Sequence, residues 1–187
     1  MTPTHQGGNH RRYVGPVFRR KAKKSNSPTP QTPASVFEGL RSQILDLDPS
    51  AVGMARGPGA PSTWGAVMEM GNGDGVASLV CLSDGTTSLY VSTGGGMIGG
   101  GAHEAVVRAN EAFLAMTAEH LSGMTRGLDH ALPAEGRVII RALTYDGPFT
   151  FEEAEDDLGY GRSPLSPVFY AAHGVLTELR LVQEQLQ

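Results

Sequence analysis

Residues 76–93 read VASLVCLSDGTTSLYVST. Two apolar, strand-like runs, Val76–Leu82 and Thr86–Thr93, are split by Ser83-Asp84-Gly85. Asp-Gly between two such runs is a strong hairpin signal, because a tight reversal needs positive φ and Gly supplies it without steric cost. The spacing predicts antiparallel strands tied by a two-residue turn. Along the second run, period-two alternation puts Leu89 and Val91 on one face and Tyr90 on the other.

Working outward, Asn72-Gly73-Asp74-Gly75 is a turn signal that joins a further run, Trp64–Met70 (WGAVMEM), to Val76. The three runs predict an antiparallel meander. Towards the C-terminus, Arg137–Tyr145 (RVIIRALTY), Asp146-Gly147 and Pro148–Ala154 (PFTFEEA) repeat the pattern as a second hairpin. An acidic, Gly-containing connection follows.

Helices frame these strands. Val36, Phe37, Leu40, Ile44 and Leu45 have helical spacing, with Ser35 as expected N-cap, Glu38 completing a capping box and Asp48-Pro49 as the stop. Residues 53–63, with Gly53, Gly57, Pro58, Gly59 and Pro61, are loop in composition. From about His103 to Ser122, Ala105, Ala109, Phe113, Met116 and His120 form a predicted stripe, widened by Val106, Ala112 and Leu121, and Gly123 and Gly127 stop the helix. Ser166 caps and Pro167 opens a last helix, whose stripe is Val168, Ala172, Val175, Leu176, Leu179, Val182 and Leu186. The order predicts an α+β domain over 34–187: a mainly antiparallel sheet of about five strands covered by two to three helices. No solenoid-period repeat occurs.

The chain has 187 residues, enough for one domain with a tail. Its net charge of −4 hides a division. Residues 1–33 carry Arg11, Arg12, Arg19, Arg20, Lys21, Lys23 and Lys24 and no acid. The rest holds eight arginines, no lysine and all 19 acids, so a +7 arm precedes a −11 body by formal charge. With Pro28, Pro30 and Pro33 and few apolar residues, the arm is expected to be disordered. No apolar run follows its charges, so it does not read as a secretory signal. Seven cations, with Tyr13 and Phe18 among them, would attract nucleic acid or an anionic surface through residues 10–24. Alternatively the arm lies on its own acidic body, or stays solvated.

The single Cys81 excludes an internal disulfide and a one-chain cysteine cage. No run approaches a membrane span. A cytoplasmic location is expected, and the Arg-only, Gly- and Ala-rich body points to a high-GC bacterial source.

The sharpest local feature is GGGMIGGGAHE at 94–104. Gly94, Gly96 and Gly99 match G-x-G-x-x-G between a strand and a helix, so Gly94, Gly95, Gly96, Gly99, Gly100, Gly101 and His103 are candidate ligand-binding residues for an anion or phosphate. The other readings are a turn where no side chain fits and a dimer contact. A dinucleotide fold is disfavoured, because the preceding strand belongs to a hairpin and no acid stands about 20 residues on. A phosphate-loop lysine is missing as well. His103 lacks a second His at i+4, and Glu104 reads as a first-turn acid favoured by the helix dipole.

Other constellations are weaker. Glu152, Glu153, Glu155, Asp156 and Asp157 cluster acids without calcium-loop spacing, which suggests a solvated strand end or a docking face. Ser163, Ser166 and His173 lack a nucleophile-elbow motif. Trp64, Met68 and Met70 are either core or a partner patch. No catalytic residue, metal site or cofactor is assigned.

A helix, the Asp84-Gly85 hairpin, a helix, the Asp146-Gly147 hairpin and a closing helix, over about residues 35–186, resemble the roadblock/dynein-light-chain and longin group of profilin-like small domains. The Trp64–Met70 strand is additional to the roadblock pattern. The resemblance implies a dimeric regulatory platform for small GTPases or motility proteins, without catalytic residues. The expected function is therefore a non-enzymatic interaction module, homo-oligomeric, with a protein partner. The alternative is a small anionic-ligand binder or enzyme using Gly94–Glu104.

Overall fold

The computed structural model describes residues 32–58 and 62–185. The basic-arm expectations fall on 1–31, outside the described residues apart from Thr32 and Pro33. Helix α1 spans Pro33–Leu45. The meander is β1 Thr63–Asn72, β2 Gly75–Leu82 and β3 Thr87–Val91. A two-residue β4, Gly96–Met97, precedes α2, Glu104–Glu119, and a two-residue β5, Thr125–Arg126. The second hairpin is β6 Arg137–Thr144 and β7 Phe149–Ala154, followed by α3 Glu155–Gly159 and α4 Ser166–Gln185.

The seven strands form one antiparallel sheet in the order β4-β3-β2-β1-β6-β7-β5. The α+β class stands as expected, but among the described residues five strands become seven and there are four helices. The two extra strands are two-residue edge pairings, Leu89 with Met97 and Thr125 with Thr150, too short to leave a periodic signal. The extra helix is α3. Its acids Glu155, Asp156 and Asp157 fill a first turn, where the helix dipole favours them, in the segment expected to be a plain connection.

Both Asp-Gly reversals occur where expected. Each joins its strands through four residues, not two: Ser83–Thr86, with Gly85 at φ +88°, and Tyr145–Pro148. Gly85 N–H donates to the Leu82 carbonyl at 3.0 Å.

One face of the sheet carries the main core. Ala66, Met68, Leu79, Cys81, Val138, Ile140 and Ala142 point to α2 and α4, which pack against each other. Phe113 of α2 and Val175 of α4 are fully buried there. Truncating a ring such as Phe113 to Ala costs about 3–5 kcal/mol in such a setting. The α2 stripe is turned from the expected one. Val106, Asn110, Phe113, Leu114 and Thr117 are buried, while Ala112 is exposed. Two polar residues on the buried face misdirect an apolar-periodicity reading, and each donates to a partner: Thr117 back to the Phe113 carbonyl at 2.8 Å, Asn110 to Thr87 Oγ1 at 2.7 Å.

The opposite face is covered by α1. Leu45 packs there with Val67, Val80, Leu82 and Leu143. Tyr90 joins this cluster while Leu89 joins the main core, as alternation requires. A register shift between Thr63 and Gly65 throws Trp64 onto the α1 face, away from Met68. The possible Trp64–Met68–Met70 partner patch is therefore absent: Trp64 and Met68 are buried on opposite faces.

The helix starts also differ from expectation. Thr32, not Ser35, caps α1: its hydroxyl accepts from Ser35 N–H at 3.2 Å, and Ser35 returns the capping-box contact. Pro33 at the first helical position fixes that start. Ser166 lies inside α4, while Ser163 Oγ accepts from Leu165 N–H at 3.2 Å just ahead of it.

Candidate functional site

The glycine-rich segment is divided among three small structures. Gly94 and Gly95 turn the chain out of β3, Gly96 sits in β4, and Gly100–Ala102 make a single 3-10 turn ahead of α2. A methyl on Gly96 would run into the Leu89 carbonyl oxygen of the neighbouring strand, and one on Gly101 into the Gly85 carbonyl oxygen. A methyl on Gly100 would stand 2.6 Å from Leu179 Cδ2. Backbone packing alone thus calls for glycine at 96 and 101, while at 100 the closest obstacle is a side chain. His103 is the N-cap of α2, makes no side-chain capping bond, and is half-buried. Glu104 occupies the first turn and pairs with Arg108 four residues on.

Among the described residues, titratable groups do not converge around this loop. The cavities that touch it are lined by Gly94 and Gly95 with α1, by Gly96 and Met97 with Arg180 of α4, and by Ile98, Gly99 and Gly101 with Asp84. None of these is lined by Arg141, Asp146 or His173. Arg141 lies on the α1 face of the sheet, Asp146 pairs with Arg56 at 3.4 Å, and His173 packs on Phe169 with ring centroids 4.3 Å apart. Burial lowers the His173 pKa, with Glu155 opposing. The carboxylates at the end of β7 are spread among separate partners: Glu152 with Arg137 at 3.0 Å, Asp157 with Arg162 at 2.7 Å. Among the described residues, no three His, Cys, Asp or Glu side chains are grouped to hold a metal ion. Cys81 is fully buried between sheet and helices, and burial pushes its thiol pKa up.

The most concentrated chemistry is a charge network absent from the sequence reading. Glu69 on β1 has no exposure. Arg41 of α1 grips it with two bonds, Nε to Oε1 at 2.7 Å and Nη2 to Oε2 at 3.0 Å. Arg141 of β6 donates to Oε2, and the Ser78 hydroxyl of β2 donates to Oε1 at 2.6 Å. The surplus positive charge is met by main-chain carbonyls. Arg141 Nε reaches Asp129 O at 2.7 Å and Nη2 reaches Ala131 O at 2.7 Å, while Arg41 Nη2 reaches Ala131 O at 3.1 Å. Desolvation pushes the Glu69 pKa up, but the bonds from Arg41 and Ser78 and the charge of Arg141 outweigh it and hold the carboxylate below its usual range. Burial lowers the Arg141 pKa, against the pull of Glu69. With its acceptors filled, Glu69 is a fastener joining α1, three strands and the 129–131 loop. The signal lay in WGAVMEM and RVIIRALTY: one charge inside each apolar strand, which only an opposite charge would make tolerable.

The exposed surface offers grooves instead. Between α1 and the β3–β4 turn lies a groove of about 290 Å³ lined by Pro33, Val36, Phe37, Leu40, Tyr90 and Val91 with Gly94 and Gly95. Among the described residues, no Asp, Glu, Lys, Arg or His lines it. Val36 is 40% exposed, and Ile98, just past β4 at the sheet edge, is 71% exposed.

No family model, curated protein or solved structure matches the chain.

Proposed function

We propose that the chain is a non-enzymatic regulatory or protein-interaction module that works as a homo-oligomer, the role that the roadblock/longin resemblance implies. Its basic arm, 1–33, supplies electrostatic attraction to nucleic acid or another anionic surface. The observation that carries the reading is the groove between α1 and the β3–β4 turn, uncharged among the described residues, with Ile98 exposed separately at the sheet edge. Apolar surface of this kind, beside a short edge strand, supports protein contact. Chemistry on a substrate needs titratable groups converging in a concavity, and the Gly94–Glu104 loop has no such convergence among the described residues.

Light scattering on the eluting protein tests the oligomer. The expected mass is about twice 19.7 kDa for the native chain, falling to the monomer value for Val36→Asp, which puts an unpaired charge in the groove. A monomer at every concentration would defeat the reading. The arm is tested by fluorescence anisotropy on short single-stranded DNA with and without residues 1–33. Loss of salt-sensitive binding on truncation is expected, and equal binding by both forms would remove the arm from the function.

A further inference from the structure

A cleft of about 420 Å³ opens where the β6–β7 turn meets the chain leaving α1. That is within the roughly 300–1,000 Å³ typical of small-molecule sites. Leu45, Trp64 and Leu143 give it an apolar base, and Tyr145 and Pro148 a wall. Tyr145 is held in place by its hydroxyl, which donates to the Met54 carbonyl at 2.8 Å.

Two charged side chains line the cleft, Asp48 and Arg56, and Asp146 stands beside it. Arg56 shows how a cation rests here. Its Nη1 is 3.4 and 3.5 Å from the two Asp146 oxygens, and its guanidinium carbon is 5.9 Å from the Tyr145 ring centroid. Both partners of that ion pair are more than half exposed, so it is weakly held. Asp48 differs. Its Oδ1 accepts from the Ser50 N–H at 2.9 Å and the Ser50 hydroxyl at 2.7 Å. These bonds fix the carboxylate's orientation and lower its pKa, so it is charged at neutral pH. No cation within the described residues pairs with it. The cleft therefore combines an aromatic and aliphatic base with one carboxylate unpaired among the described residues, in a body of formal charge −11 that draws cations towards it.

We propose that this cleft binds a small organic cation with an aromatic or aliphatic body, a primary amine or amidine, whose apolar part lies on Trp64 and Leu143 and whose head pairs with Asp48. Cation and ring reinforce each other at such a site, since the Tyr145 ring, on which Arg56 rests, attracts the same charge that the carboxylate does. The site is independent of the groove at α1 and β3–β4.

Trp64 is the chain's only tryptophan, so its fluorescence reports on the cleft without labelling. The full chain is titrated with three probes of one shape, 2-phenylethylammonium, 2-phenylethanol and 3-phenylpropionate, and thermal melting is followed in parallel. The ammonium probe should bind saturably and about two- to fivefold more tightly than the other two, a contrast of the size one exposed ion contact gives. Asp48→Asn, which keeps an oxygen to accept from the Ser50 N–H and hydroxyl, should erase that preference, each probe being read against the variant's own unliganded melt. Arg56→Gln should strengthen ammonium binding by about two- to fivefold, because it removes the resident cation that competes for Tyr145 and Asp146. Preference for the carboxylate probe, no preference among the three, or no response in either fluorescence or melting would overturn the proposal.

Discussion

Arg141 on β6 donates a hydrogen bond to Glu69 on β1, and neither side chain has any exposure to solvent. Charges taken out of water are stable only while each has its partner. Glu69→Ala would leave Arg41 and Arg141 facing each other with carbonyls alone. The expected loss is about 3–5 kcal/mol, the range for breaking a buried pair by removing one member. Urea unfolding of the two proteins measures it. A loss below about 1 kcal/mol would mean that water reaches the site.

The same carboxylate gives stability a pH dependence. Its native pKa is lowered from 4.5, despite desolvation, by the Arg41 and Ser78 bonds and the Arg141 charge. In the acid range the unfolded chain therefore binds more protons than the native one. The stabilisation is fully present above about pH 4.5 and is lost as pH falls through the native value. Exposed Asp48 shifts in the same direction. Unfolding free energies measured from pH 6 down to pH 3 should fall on the acid side. The fall should be shallower in Glu69→Gln, and equal slopes would place the acid sensitivity elsewhere.

What the sequence disclosed and what it hid follow from the range of the interactions. Both Asp-Gly reversals are local, so Leu82 to Thr87 and Thr144 to Phe149 could be read as hairpins from a few residues. The cap of α1 is local too, but Thr32 and Ser35 compete for it, and Pro33 decides in favour of Thr32. The network around Glu69 joins residues 28 and 72 positions away, which no window of sequence displays. Trp64 changed face through a one-residue bulge, and a two-residue period has no way to signal that. The Gly94–Gly101 run was conspicuous, yet its pattern serves ligand cradles and tight packing equally. Only the carbonyls of Leu89 and Gly85 show what stands against Gly96 and Gly101.

That packing account makes the glycines unequal. Gly101→Ala should cost several kcal/mol, because the Gly85 carbonyl backbone cannot move as a side-chain tip can. Gly99→Ala meets nothing within 4 Å and strains only its φ of +83°, so it should cost about 1 kcal/mol. Melting temperatures of the two variants give the order. The reverse order would mean that the segment is not packed on the Ser83–Thr86 turn.

Cys81 should be inert in the native protein. It is fully buried in the sheet's main core, and burial raises its thiol pKa, so almost no thiolate forms at neutral pH. Labelling by a maleimide should be at least about 10²-fold slower in buffer than in denaturant, because it must wait for opening of the core. A native rate near the denatured one would place the thiol at the surface.

Asn110 couples the helices to the meander, and its role is measurable. From the middle of α2 its amide nitrogen lies 3.3 Å from Leu82 O, 3.2 Å from Thr86 O and 2.7 Å from Thr87 Oγ1. All three acceptors bracket the Ser83–Thr86 turn, so one buried side chain fixes that turn against α2. Asn110→Leu fills the volume but withdraws the donors, leaving buried acceptors short of partners. The expected cost is about 1–3 kcal/mol. Ala112→Ser on the exposed side of the same helix should stay within about 0.5 kcal/mol. Urea unfolding separates the two. Hydrogen exchange adds a local reading: the Gly85 amide, bonded to Leu82 O, should lose protection in Asn110→Leu by more than the global destabilisation explains. If protection at Gly85 falls only in step with global stability, the amide is a packing element and the turn holds itself.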